Sequence, residues 1–122
     1  MGYFTVKNIE ALRQFLRESE IHDGEFTQAQ YDQRNKTFDV HIENTVWNAS
    51  VAMKFSGIEK FVAVSDFAWG NNEAIIGLAE LSGEEALPPE IKDSDRKEIL
   101  CFLWEMFSGN RLYIVCKSLE VQ

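Results

Sequence analysis

The stretch IHDGEFTQAQYDQRNKTFDVHIEN, residues 21–44, decides the fold of this chain. Residues 37–43 of this stretch alternate strictly between polar and apolar side chains, which is the period of a strand with one buried face. Residues 25–32 also alternate, but less cleanly. The polar run between these two segments favours a turn, because Asp32 suits the first turn position and Asn35 tolerates a positive φ. The stretch therefore predicts a β-hairpin.

The register of this hairpin stays open at the level of sequence. A shift of one residue moves every side chain of a strand to the other face of the sheet. Either Phe26, or Ala29 together with Tyr31, would share the face of Phe38. The pattern alone favours neither register.

A helix is predicted before this stretch, over residues 9–18. Asn8 is a favourable N-cap residue, and the apolar residues after it recur on one helical face. These residues are Ile9, Leu12, Phe15 and Leu16. Because so short a helix is marginal in water, we expect its apolar stripe to lie on a sheet. Gly24 is expected to prevent any continuation of the helix.

Further strands are predicted after the hairpin. Residues 46–55 alternate, and residues 74–81 form a short apolar run. Residues 58–69 are rich in Val and Phe, as in a strand that is covered on both faces or interrupted by a bulge. The short turns between these segments favour antiparallel meander pairing. Residues 82–97 contain both prolines, lack a clear period and are expected to form a surface connection.

The last segment of the chain admits two interpretations. Residues 98–107, the turn at residues 108–110 and the alternating residues 111–121 favour a closing β-hairpin. A helix over residues 95–107 is the alternative, since the apolar residues there also fit helical spacing. We predict the hairpin.

Together these elements predict a single domain, residues 1–122, of the α+β class. Its N-terminal helix is expected to pack on a curved, mainly antiparallel sheet of about six or seven strands. A chain of 122 residues with 45% hydrophobic composition is long enough to bury a core without disulfide or metal support.

The charge balance restricts the class of partner. Twenty Asp and Glu residues against twelve Lys and Arg residues give a formal net charge of −8, a field that repels phosphate backbones and anionic lipid surfaces. We therefore expect no nucleic-acid partner and no membrane partner, whereas a basic protein partner is compatible. The N-terminus shows no secretory pattern, and the apolar runs are too short to span a bilayer, so a cytoplasmic location is expected.

The two histidines do not form a recognisable catalytic or metal-binding pattern. His22 and Asp23 are adjacent, but neighbouring residues of a strand point to opposite faces, so we interpret them as a polar junction between helix and sheet. His41 lies on the polar face of its predicted strand with Asp39 and Glu43. Two histidines without a third ligand make a weak metal signal. We expect no enzyme activity, no catalytic residue, no metal and no cofactor.

Two polar segments are candidates for binding a partner. The turn DFAWGNN surrounds a large aromatic side chain with polar groups, and Trp is favoured in interface anchors. These groups are Asp66, Trp69, Asn71 and Asn72. With equal weight, Trp69 folds back onto the core and the asparagines serve the turn. The acidic segment with Glu84 and Glu85 can receive basic groups, although a run of charge is usually solvated surface.

The two cysteines, Cys101 and Cys116, oppose each other if the closing hairpin has a two-residue loop. A three-residue loop would shift this pairing, and a reducing cytosol disfavours a disulfide. We therefore expect both to be buried, reduced thiols.

The chain resembles a group of small bacterial domains, some of which look like immunity proteins of polymorphic toxin systems. The resemblance rests on the order of His-Asp, the run YDQRNKTFDV, a strand ending in FSGIEKF, the turn DFAWGNN and a closing hairpin. It covers most of the chain from residue 21 onward. It implies a protein that neutralises a toxin by binding, and it provides no catalytic residues.

We therefore expect a non-enzymatic protein-interaction domain, with a toxin-neutralising immunity protein as its narrower form. Three other classes stay open, and the least favoured of them is an enzyme that uses His22 with Asp23 or His41, because no spacing brings nucleophile, base and oxyanion donors together. A small-ligand module would enclose a pocket between sheet and helix, lined by Trp47, Phe55, Phe61 and Trp104. A homodimer would form through an exposed sheet edge.

Overall fold

The structure is a computed structural model that describes residues 2–19, 21–46, 48–64, 75–81, 99–107 and 109–122. These residues form a short 3-10 helix (Val6–Asn8), one α-helix, α1 (Ile9–Glu18), and nine strands. The strands are β1 (Gly2–Phe4), β2 (Glu25–Asp32), β3 (Thr37–Asn44), β4 (Ala49–Ser56), β5 (Lys60–Val64), β6 (Ile75–Glu80), β7 (Leu100–Met106), β8 (Arg111–Cys116) and β9 (Ser118–Val121). Within the described ranges no helix combines the length and apolar character that a bilayer crossing requires.

The strands form two antiparallel sheets. The first sheet has five strands in the order β1-β9-β4-β3-β2, and the second has four in the order β5-β8-β7-β6. A mainly antiparallel fold with a short N-terminal helix is thus confirmed, but the prediction of a single sheet is wrong. The predicted meander holds for β2, β3 and β4. It fails at β5, which joins the other sheet and pairs with β8 instead of with β4 or β6.

A two-stranded ribbon passes from one sheet to the other. β4 pairs with β9 in the first sheet, and their neighbours along the chain, β5 and β8, pair in the second. The ladder continues through the corner, where the Lys117 N–H donates to the Ser56 carbonyl oxygen at 3.0 Å. Gly57 turns this corner with a φ of 68°, a left-handed conformation that glycine adopts readily. Residues 111–121, predicted as one strand, are therefore two strands divided at the bend.

Apolar side chains from both sheets and from α1 form one core cluster. Phe55 on β4 is fully buried and lies edge-on to Phe102 and Trp104 on β7, with ring centroids 5.0 and 6.1 Å away. Such edge-to-face pairs contribute about 0.5–1.5 kcal/mol beyond the area that they bury. Leu12 of α1 is also fully buried in this cluster, as the predicted apolar stripe of the helix requires.

The helix has the predicted bounds, Ile9–Glu18, but its start and its end are set differently from the prediction. The Asn8 side chain makes no capping hydrogen bond to α1. It forms a capping box with Thr5 around the preceding 3-10 helix and accepts from the Thr5 N–H at 2.8 Å. Gly24 lies well beyond the helix and is required by close packing instead, because a Cβ there would lie 2.8 Å from Ile42 Cγ2.

The β2–β3 hairpin is confirmed, and a β-bulge in β2 resolves its register. Before the bulge Phe26 opposes Ile42, and after it Ala29 opposes Val40. The extra residue is Thr27, because two residues of a bulged strand oppose one residue of the partner. Phe26 and Ala29 therefore reach the same face of the sheet. The register that places Phe26 on the face of Phe38 applies before the bulge, and the register that places Ala29 and Tyr31 there applies after it.

The turn between β2 and β3 is stabilised by Asp32 and Asn35. The Asn35 backbone N–H donates to Asp32 Oδ1 at 3.1 Å, and Asn35 Nδ2 donates to Oδ2 at 2.7 Å. These two bonds hold the pKa of Asp32 below its ordinary value of 3.8. The left-handed residue is Lys36, with a φ of 56°, and not Asn35 as predicted.

The outer faces of the two sheets differ in character. Side chains on the outer face of the second sheet form a second buried apolar cluster, composed of Ile99, Cys101, Tyr113 and Val115. On the first sheet, the residues that alternate with the core side chains are mostly polar and exposed, as on β3. The first sheet therefore presents a polar surface to solvent.

Replacing Gly57 by alanine is expected to lower the free energy of unfolding by about 1–2 kcal/mol, because a left-handed residue with a Cβ is strained. The added Cβ would also lie 2.9 Å from the Lys117 Cβ. Gly77→Ala is the matched control, since a Cβ there meets no described atom within 4 Å, and little change is expected. Urea unfolding measures both values, and equal effects would contradict the role assigned to the corner.

Replacing Asp32 by alanine is expected to lower the urea midpoint at pH 7, because the variant loses both bonds to Asn35. The native pKa of Asp32 lies below its unfolded value, so its contribution is present above pH 3.8 and is lost as the pH falls through the native pKa. The difference between variant and parent should therefore shrink in acid. Gln33→Ala in the same turn is the control, and a difference that does not depend on pH would refute the assignment.

Candidate functional site

The residues predicted to bind a partner lie outside the described part of the chain. They are Asp66, Trp69, Asn71, Asn72, Glu84 and Glu85. The described residues that bracket the first of these segments are Val64 and Ile75, which oppose Arg111 and Met106 on the two sides of the β7–β8 turn. Among the described residues, the outer face of the first sheet offers another candidate surface.

The outer face of the first sheet carries a polar concavity of about 530 Å³. Side chains from β2, β3, β4 and the C-terminus line it, namely Gln28, Gln30, Asp39, His41, Ala52, Lys54 and Gln122. They lie outside because each alternates along its strand with a residue that faces the core. This confirms the predicted placement of His41 on a polar face.

Two cross-strand rows on this face contain carboxylates. In one row Lys54 lies between Asp39 and Glu120, and in another Glu25 opposes Glu43. All five of these residues are exposed. Because like charges that face each other across a sheet repel, the pair Glu25 and Glu43 favours a cation placed between them.

His41 lies in the floor of the concavity between two hydroxyl groups. Thr27 Oγ1 lies 3.0 Å from Nδ1, and Ser50 Oγ lies 2.9 Å from Nε2. Thr27 Oγ1 also donates to the His41 carbonyl oxygen at 3.2 Å. Its one hydroxyl hydrogen is then used, so its oxygen accepts from Nδ1. The neutral ring therefore carries its hydrogen on Nδ1, and Nε2 accepts from the Ser50 hydroxyl.

The distance between Ser50 and His41 matches that of a nucleophile and its base, but their surroundings do not suit acyl transfer. The third position holds the neutral hydroxyl of Thr27 where a carboxylate would stabilise an imidazolium. Glu43 directly opposes Ser50, and its charge disfavours a developing oxyanion. Among the described residues no group of three or more His, Cys, Asp or Glu side chains could hold a metal ion.

His22 and Asp23 occupy the turn between α1 and β2. The expectation that their side chains point apart is wrong, because His22 Nε2 lies 3.6 Å from Asp23 Oδ1 and both side chains are well exposed. Asp23 has a φ of 67°, so the chain turns here and does not yet follow a strand. The His22 ring also lies 5.9 Å from the ring of Phe107, an exposed aromatic of the β7–β8 turn.

The residues predicted to line a ligand pocket between sheet and helix are separated in the structure. Phe55 and Trp104 are fully buried in the core, and Trp47 lies outside the described residues. Phe61 lines a different feature, an apolar cleft of about 200 Å³ between the first and second sheets.

Cys101 and Cys116 are both buried and neither forms a disulfide. The β7–β8 turn contains three residues and not two, since the Met106 N–H donates to the Asn110 carbonyl oxygen at 3.0 Å. The register is therefore shifted, and Cys101 opposes Val115. The two thiols point to opposite faces of the sheet. Burial raises the pKa of the Cys116 thiol, and the expectation of buried thiols is confirmed.

Nuclear magnetic resonance of the imidazole nitrogens is expected to show the neutral His41 ring with its hydrogen on Nδ1. Thr27→Val removes the oxygen that accepts this hydrogen, so the tautomer on Nε2 should gain population. Thr45→Val, at an exposed position after β3, is the control and should leave the tautomer unchanged. A parent ring protonated on Nε2 would disprove the proposed hydrogen-bond pattern.

Comparison with known proteins gives information about the fold but none about the candidate site. The chain matches no protein-family model and no curated protein. It is similar in structure to an uncharacterized protein from Neisseria gonorrhoeae known from a crystal structure, with a TM-score of 0.53 and 10% sequence identity. The match covers 83% of this chain and 91% of that chain. At this identity the likeness concerns the fold alone.

Proposed function

We propose that this chain is a non-enzymatic protein-interaction domain that binds a basic protein partner through the outer face of its first sheet. The observation that carries the proposal is the arrangement of charge on that face. Lys54 lies between two carboxylates there, and Glu25 opposes Glu43. A partner that places Lys or Arg side chains over these carboxylates relieves the repulsion between Glu25 and Glu43 and forms charge-assisted hydrogen bonds with the carboxylates.

The net charge of the chain supports the same proposal. A formal charge of −8 accelerates the encounter with a basic protein and opposes contact with nucleic acid. At short range, Tyr3 is 62% exposed and opposes Glu120 on the outer face. It offers an aromatic side chain of the type that anchors interfaces. Charge then governs the rate of association, and the aromatic contact governs the lifetime of the complex.

In its narrower form the proposal makes the partner a toxin and this chain the immunity protein that masks it. The support for this form is the sequence resemblance to immunity proteins of polymorphic toxin systems. The neighbouring genes provide a direct test. A toxin gene immediately upstream would support the narrower form, whereas a metabolic operon would count against it.

Affinity capture from a lysate of the native organism tests the broader proposal. At low salt the tagged chain is expected to retain a basic protein, and added salt should weaken the capture because exposed ion pairs are screened. The triple variant Asp39→Asn, Glu43→Gln and Glu120→Gln should weaken the affinity of the purified partner by roughly tenfold, at about 0.2–1 kcal/mol for each exposed pair.

A second triple variant controls for net charge. Glu18→Gln, Glu59→Gln and Glu105→Gln remove the same number of carboxylates from exposed positions outside this face. This control is expected to bind within about twofold of the parent, since isolated surface charges contribute little. The proposal fails if no basic protein is retained, or if the two triple variants weaken binding equally.

A further inference from the structure

The edge strand β2 is exposed along most of its length. Among the residues that the structure describes, it is the last strand in the order of the first sheet, and residues 27–31 are all exposed. The outward N–H and C=O groups of an exposed edge strand can pair with a strand of another molecule. β2 is therefore a surface on which a partner segment can form hydrogen bonds with the main chain.

The middle of this edge lacks the usual protection against such pairing. Natural edge strands are protected by lysine, proline, bulges or inward-facing charge. β2 has a bulge at Thr27 and acidic residues at its two ends, Glu25 and Asp32. Residues 28–31, in contrast, contain neither a charge nor a proline. The edge is open in its middle, and carboxylates flank it on both sides.

An apolar cleft of about 200 Å³ lies beside this open section. The described residues that line it are all apolar, namely Phe26, Ala29, Phe38, Phe61, Ala63 and Leu112. Ala29 on β2 and Ala63 on β5 are exposed, so the cleft opens between these two strands. The Tyr31 ring stacks on Phe61 with centroids 4.3 Å apart. A strand added to β2 would direct alternate side chains into this gap between the sheets.

We propose that the basic partner contributes an extended segment that pairs with the edge of β2 and inserts one apolar side chain into the cleft between β2 and β5. Its flanking residues are basic and lie near Glu25 and Asp32. This inference rests on the proposed function and names the part of the partner that binds. In such complexes the main-chain hydrogen bonds supply affinity, and the pocket for the alternate side chain supplies specificity.

A second copy of this chain is a poorer occupant of the same edge. If two β2 strands paired antiparallel along their full length, Glu25 of each copy would oppose Asp32 of the other. Both ends of the pairing would then bring two carboxylates together, which destabilises a sheet. The charges at the ends of β2 therefore favour a basic segment over self-association, and the chain is expected to be a monomer.

Three synthetic peptides test this inference on the full chain. The first, acetyl-KKVTLTVKK-amide, has basic ends and a central leucine. The second replaces this leucine by serine, and the third replaces the four lysines by glutamate. The leucine peptide is expected to shift the amide resonances of β2 and the methyl resonances of Ala29 and Ala63. The serine peptide should bind about tenfold more weakly, since it loses the burial of one leucine side chain, and the acidic peptide should also bind more weakly.

Two substitutions test whether the peptide occupies the cleft. Ala29→Lys places a charge at the mouth of the cleft and should weaken binding of the leucine peptide about tenfold or more. Ala11→Lys adds the same charge at an exposed position of α1, outside both the cleft and the outer face of the first sheet, and should retain affinity within about twofold. The comparison of the three peptides on the parent chain does not depend on either variant.

The inference is overturned if resonance shifts lie away from β2, if the leucine and serine peptides bind equally, or if light scattering shows a dimer formed through β2. The proposed function is judged separately, by the Asp39, Glu43 and Glu120 variant with the captured partner. If that variant loses the partner while no peptide binds β2, the basic-partner function stands and the edge-strand inference is wrong.

Discussion

The bent ribbon formed by β4 and β5 on one chain segment and by β8 and β9 on the other belongs to both sheets at once. Gly57 turns the first segment, and Lys117 alone separates β8 from β9 in the second. The bend brings the inner faces of the sheets together, so that Phe55 meets Phe102 and Trp104. The apolar cleft between β2 and β5 lies between the two sheets that this bend brings together. The outer face of the first sheet is polar because alternate side chains of each strand point into the core.

Elements whose pattern depends on near neighbours could be predicted from the sequence. Helical spacing is clear in α1, and β3 alternates along its whole length. The division into two sheets could not be predicted, because β5 pairs with β8 from far along the chain and no local period records which distant strand is the partner. The irregular alternation of β2 was the visible trace of the bulge at Thr27. Interpreted as a regular strand without a bulge, residues 25–32 are compatible with two different registers.

The candidate site was predictable to the extent that it follows from a single strand. Alternation along β3 placed His41 on the polar face, as observed. The row that joins Lys54 to Glu120 depends on the pairing of β4 with β9, which the sequence does not specify. The contact between His22 and Asp23 was missed because strand periodicity does not reveal a positive φ. The glycine that follows Asp23 was the available signal of a turn.

The bulge at Thr27 also bears on how this strand can evolve. A single inserted or deleted residue normally inverts every side chain beyond it, which ruins a strand with one buried face. β2 already contains such an insertion and confines it to one position. In its first half the side chain of Phe26 is buried in the core, while its second half forms the exposed edge. Substitutions in the exposed half of β2 can therefore accumulate without changing the position of the buried residues. Relatives of this chain are best aligned with a one-residue gap allowed at the bulge.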